Sequence, residues 1–239
     1  RIGEFNSQNM ANTVWAFATA GVEARLLFEA IAGEFLRRVD VAYPEEFAMI
    51  SWSFACIGWE KHQFFAELGL SGAAFLGEFT ESSQRQLYYV SLYVQLEWRD
   101  HFFPLWNQLR SSLRSACSEI EVRPSQFQHD VSALVEVMGW SHVFEHQTEE
   151  GLSLDLADPE AKRAIEVDGP HHYLKNVSTG EHIVNGSTRF KSRLLRKLGW
   201  KVSHISSFDW DGKTESERHQ VLVRSLREIG HVEGGAHSF

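Results

Sequence analysis

The chain has 239 residues, 43% of them hydrophobic, and no run of 18 apolar residues, so it suits one large domain or two small ones and no transmembrane helix. Its formal charge of −9 argues mildly against indiscriminate polyanion binding, and two cysteines, Cys56 and Cys117, make no disulfide framework and fit a reducing compartment. The first residue is Arg1 rather than Met, as expected of a fragment or processed product whose targeting peptide is not in view.

The first half repeats itself. "NTVWAFATAG" (12–21) aligns with "MISWSFACIG" (49–58), placing Trp15 on Trp52, Phe17 on Phe54, Ala18 on Ala55 and Gly21 on Gly58, an offset of 37 residues. The same step reaches Tyr89 and links Phe28, Phe65 and Phe102. A period of this length marks a helical-repeat array, in which each unit buries its apolar face against its neighbours. Each unit reads as two helices. Met10, Val14, Phe17 and Ala18 fall at helical spacing before Gly21, and Leu26, Leu27, Ala30, Ile31 and Leu36 follow. The third unit has Gln95 where the others have Gly, and is predicted to be a degenerate cap. The Trp-Ala-Phe-Ala core over roughly residues 5–105 resembles the octotricopeptide repeat, a helical-hairpin repeat of organellar RNA-binding proteins in algae and related protists.

The organisation changes near residue 121. Ser125 is a good N-cap, and Phe127, Val131, Leu134, Val135 and Met138 make one helical face that ends at Gly139. "HVFEHQ", "LSLDLAD" and "AIEVDG" read as strands, "GSTRFKSRLLRKLG" as a helix, and "WKVSHIS" as a strand. A closing helix starts at a capping box formed by Thr214 and Glu217. The predicted order is α-β-β-β-α-β-α, an α/β domain over 121–229 after a repeat array over 1–120, with a loose tail at 230–239. Trp200 and Trp210 read as packing residues.

Chemistry concentrates in "AIEVDGPHHY" (164–173). Alternation puts Glu166 and Asp168 on one strand face, about 7 Å apart. A hairpin turn at Pro159–Lys162 sets Asp155 opposite Glu166, so three carboxylates converge at the C-terminal end of a strand, where α/β proteins commonly bind ligands. A hard divalent cation such as Mg²⁺ would offset their repulsion, which makes Asp155, Glu166 and Asp168 candidate metal ligands. On the following helix Phe190, Leu194, Leu195 and Leu198 form an apolar stripe opposite Arg189, Arg193, Arg196 and Lys197. Lys191 falls inside the stripe and needs a partner, for which the acidic cluster is the natural choice. Asp155, Glu166, Asp168 and Lys191 are thus candidate catalytic residues for metal-dependent phosphodiester hydrolysis. Arg189, Arg193, Arg196, Lys197, His171 and His172 are candidates for phosphate contact.

"GLSLDLADPEAKRAIEVDGPHHYL" followed by "GSTRFKSRLLRKLGWKVSHISSFDW" resembles a RAP domain, over about residues 121–229. The resemblance implies a PD-(D/E)XK restriction-endonuclease-like fold, with Asp155 at the first metal-binding Asp and Glu166 at the acid of the (D/E)XK motif. Asp168 stands where that motif has Lys, and Lys191 is the candidate replacement. It also implies single-stranded RNA as partner, other organellar RNA-processing proteins beside it, no membrane, and a mitochondrial or chloroplast location. Three readings stay open: an RNA-binding factor in organellar transcript maturation, stability or translation; a Mg²⁺-dependent endoribonuclease; and a protein-interaction scaffold with an inactive nuclease-like domain.

Overall fold

The structure, a computed structural model, describes residues 1–99, 103–114 and 124–231. Phe102, Cys117, the expected boundary near 121 and nearly all of the expected tail lie outside the described residues. Two compact units are defined, one within Arg1–Glu119 plus Val184–Phe190, the other within Ile120–Ile183 plus Lys191–Phe239.

The first unit is helical. Its α-helices are α1 (Ser7–Ala20), α2 (Arg25–Leu36), α3 (Pro44–Cys56), α4 (His62–Gly72), α5 (Glu81–Glu97) and α6 (Pro104–Leu113). The odd-numbered helices begin at equal steps of 37 residues, and α1 packs on α3 and α3 on α5. Local chemistry sets the ends. Asn6 accepts from the Asn9 N–H at 2.8 Å, Pro44 opens α3, and Gly21 adopts the left-handed conformation (φ 64°) that closes α1. With Gln95 in place of glycine, α5 runs on to Glu97.

Phe28 and Phe65, 37 residues apart, are both fully buried. Phe28 meets Phe54 edge-on at 5.0 Å, and Phe65 lies 5.5 Å from the Tyr93 ring. The tryptophan column behaves differently: Trp15 is 42% exposed, whereas Trp52 is buried against Tyr93's neighbour Phe190 at 6.3 Å. Two tryptophans 37 residues apart thus lie one at the surface and one in the core. The segment 184–190, which the sequence reading places in the C-terminal domain, packs within this first unit.

The second unit is a mixed sheet with helices. α7 (Gln126–Val137) leads into β1 (Val143–Gln147), β2 (Ser153–Asp158) and β3 (Arg163–Asp168). A short hairpin follows, β4 (Tyr173–Lys175) and β5 (His182–Val184), and then α8 (Gly186–Lys197), β6 (Lys201–Ser206) and α9 (Glu215–Glu228). The sheet order is β1-β2-β3-β6, antiparallel except for the β3–β6 pair. The expected register holds, with Leu156 opposite Ile165 and Ala157 opposite Ala164. The capping boxes at Ser125 and Thr214 are present. One sheet face carries Leu156, Ile165, Val167 and Ile205 into a core with Val131 and Val135 of α7 and Leu222 and Leu226 of α9. Trp140 and Trp210 complete that core.

Candidate functional site

Glu166 and Asp168 project from the opposite face of β3, and that face is covered as well. Glu166 is 4% exposed and Asp168 1%. Two side chains of α8 cross over them. The Lys191 Nζ donates to Glu166 Oε2 at 2.7 Å, and Ser192 Oγ lies 2.8 Å from His204 Nε2. The Lys191 position in an otherwise apolar stripe is explained by this pair; its side chain is 27% exposed, so the ammonium reaches both the carboxylate and water.

Asp168 organises a second group. His204 is the β6 neighbour of Glu166 in register, and its Nδ1 approaches Asp168 Oδ2 at 2.8 Å. A carboxylate only accepts, so His204 donates from Nδ1 and presents Nε2 to Ser192. The Tyr173 hydroxyl donates to Asp168 Oδ2 at 3.4 Å, and His172 Nδ1 lies 3.6 Å from Oδ1. Asp155 has a third role. Its Oδ2 accepts the Val167 N–H at 2.7 Å, beyond the last paired residues of β2 and β3. A side chain there takes the place of a strand bond, and the ladder opens at the C-terminal end of β3.

The four candidate catalytic residues do gather in one region, but not as one metal-holding group. Glu166 is engaged by an ammonium, Asp168 by an imidazole and a phenol, and Asp155 by a backbone amide. Among the described residues no three His, Cys, Asp or Glu are arranged to hold a metal ion. In place of the expected three-carboxylate group for Mg²⁺, one oxygen of each acid meets a protein donor: Glu166 Oε2 meets Lys191, Asp168 Oδ2 meets His204, and Asp155 Oδ2 meets the Val167 N–H. One atom stands apart, Glu166 Oε1, buried with no hydrogen-bond partner.

The electrostatics follow from this placement. Burial pushes the Glu166 carboxyl up to about 7, against the pull of Lys191 and with a further push from Asp155. Burial lowers His172 below the usual histidine range despite Asp168. Burial also lifts the Tyr173 phenol to about 12, so it remains a donor. Glu145, at the centre of β1 opposite Asp155, holds a left-handed φ of 54° that a non-glycine residue seldom adopts. Its carboxyl accepts from Gln128 Nε2 at 3.1 Å, and its pKa is raised by burial and by Asp155.

Sequence reasoning missed Glu145, Tyr173, Ser192 and His204. His204 alternates with Ile205 in "WKVSHIS", and a polar residue in a strand beside β3 was a usable signal; Ser192 and Tyr173 carried none. Of the candidates for phosphate contact, Arg189 and Arg196 are exposed, while Arg193 and Lys197 are half-buried. Arg189 belongs to the segment that packs within the first unit, where its guanidinium lies over Gly21. His171 is exposed and its ring lies 4.1 Å from that of His172.

Residues 165–224 match the RAP domain, a segment that contains Glu166, Asp168, Lys191 and His204 and leaves Asp155 outside. The chain is also similar to a RAP domain-containing protein, chloroplastic, of Oryza sativa subsp. japonica, 25% identical over 195 residues. That alignment takes in 76% of this chain, and the chain spans 29% of the relative's length. No helix among the described residues is long and apolar enough to cross a membrane.

Proposed function

We propose that this chain is an RNA-binding protein of organellar post-transcriptional RNA metabolism. The observation that carries the reading is the RAP match over the segment holding the buried Glu166–Lys191 and Asp168–His204 pairs. The helical unit is read as octotricopeptide-like repeats that bind single-stranded RNA along their surface, a reading supported by the equal 37-residue spacing of helix starts. The second unit is read as a PD-(D/E)XK-like domain that grips the RNA. In it Asp168 and Glu166 hold His172 and Lys191 at the end of β3, where a phosphate would meet a partly exposed ammonium. The relative's name supports a chloroplast location.

The test is equilibrium binding of the full chain to single-stranded and duplex RNA over a range of salt, with Mg²⁺ or with EDTA, and with the RNA then run on a gel. Single strands are expected to bind, with affinity falling steeply as salt rises. Lys191→Ala is expected to weaken binding and flatten the salt dependence by about 0.7 in log–log slope for one lost contact. Absence of RNA binding would sink the reading in favour of a protein-interaction scaffold. Mg²⁺-dependent cuts that disappear in both Asp168→Asn and Lys191→Ala would replace it with an endoribonuclease.

A further inference from the structure

Between β3 and α8 the chain turns back on itself. The Asn176 N–H donates to the Glu181 carbonyl at 2.8 Å across the turn. Strand alternation from that pair sets Tyr173, Lys175 and His182 on one face of the hairpin and Leu174 and Ile183 on the other. On the first face the His182 ring lies flat on Phe208, with 3.6 Å between centroids and 9° between planes. Tyr173 meets the same phenyl ring edge-on at 5.5 Å and 86°. The Tyr173 hydroxyl reaches Asp168, so the stack is fastened to the ionic network of the site.

Stacks that serve packing are normally buried. Here Phe208 is 39% exposed and His182 is exposed. The nearby acids are occupied: Asp209 faces Arg224 at 3.8 Å, and Glu181 accepts from the Thr179 hydroxyl at 3.1 Å. What remains on this face is a parallel aromatic pair with an ammonium, Lys175, across the hairpin from His182. That combination matches a nucleobase, which offers a π-face, attached to a phosphate, which seeks a cation. Duplexes keep their bases stacked inside, so the chemistry selects single strands.

We propose that the His182–Phe208 stack, with Lys175 beside it, is a base-stacking site for single-stranded RNA. The inference rests on the RNA-binding reading above and adds a site outside the carboxylate cluster. Stacking tolerates any base, so this site contributes affinity and positions the strand at the end of β3 without reading sequence.

The experiment measures binding of the full chain to fluorescein-labelled oligouridylate, oligoadenylate and a ribose-phosphate oligomer lacking bases. His182→Ala is expected to weaken both oligonucleotides about tenfold, while His182→Tyr, which keeps a ring, stays within about twofold of wild type. Lys175→Gln is expected to reduce the salt slope by about 0.7. The baseless oligomer is expected to bind wild type and His182→Ala alike, and the thermal midpoints to be unchanged. Equal binding of oligouridylate by wild type and His182→Ala overturns the stacking site alone. Baseless and base-bearing oligomers binding wild type equally well has the same consequence. Failure of wild type to bind any of the RNAs overturns the RNA reading and the site with it.

Discussion

Glu166 places one oxygen on Lys191 and leaves the other buried without a partner, an arrangement that favours the protonated acid. Its carboxyl is raised from the ordinary 4.5 to about 7, so between those values the unfolded chain gives up the proton first. The unfolded state then binds fewer protons, and stability falls as pH rises. The contribution is fully present below about 4.5 and is lost as pH passes about 7, on the order of 3 kcal/mol in all. Glu166→Gln mimics the protonated form. Its thermal midpoint is expected to match wild type near pH 5 and to exceed it near pH 8. Melts across that range check the sign; parallel curves for the two proteins would refute it. Lys191 tolerates the loss of its counter-charge because its side chain reaches water.

Helix ends and strand registers are where local sequence acts most directly. Glycine at 186 opens α8 because a Cβ there would run into the Ala18 carbonyl oxygen. Gly186→Ala gains roughly 1 kcal/mol of helix propensity but forces rigid backbone to move, at a cost of about 1–3 kcal/mol or more. Net destabilisation is expected, read as a lower midpoint in circular-dichroism melts. The longer elements were legible: strict periodicity located the helices, and the Leu154-to-Val167 alternation gave the β2–β3 register. The β4–β5 hairpin was not. Its strands are three residues each, too short for a period, although the turn is written in the sequence. Asn176 Oδ1 accepts from the Ser178 and Thr179 N–H groups, and Gly180 adopts φ 74°.

At the scale of the molecule, charge is the first obstacle to RNA binding. The net charge is −9 with 12 histidines counted as neutral. Protonating histidines as pH falls reduces that charge. His172 contributes only at lower pH, because burial depresses its pKa. RNA affinity is therefore expected to rise as pH falls from about 7.5 to about 6, by more than a duplex-DNA control without a single strand to stack. Fluorescence anisotropy at fixed salt checks this; an affinity flat in pH would place the histidines away from the RNA.

The sequence by itself determined the two-part organisation, the 37-residue spacing, the caps at Ser125 and Thr214, and the strand that carries Glu166 and Asp168. These depend on near neighbours, on the period of apolar residues and on which side chains can satisfy helix-end amides. Only the tertiary structure decided what the carboxylates do. The protein partners of Glu166 and Asp168 come from β6 and α8: Lys191 on Glu166, and His204, backed by Ser192, on Asp168. His204 and Ser192 lie 24 to 38 residues from Glu166 and Asp168, and no local pattern encodes their approach. The same holds for Trp15 and Trp52: their 37-residue offset is legible in the sequence, but burial depends on what packs against each, and the Phe190 ring meets Trp52.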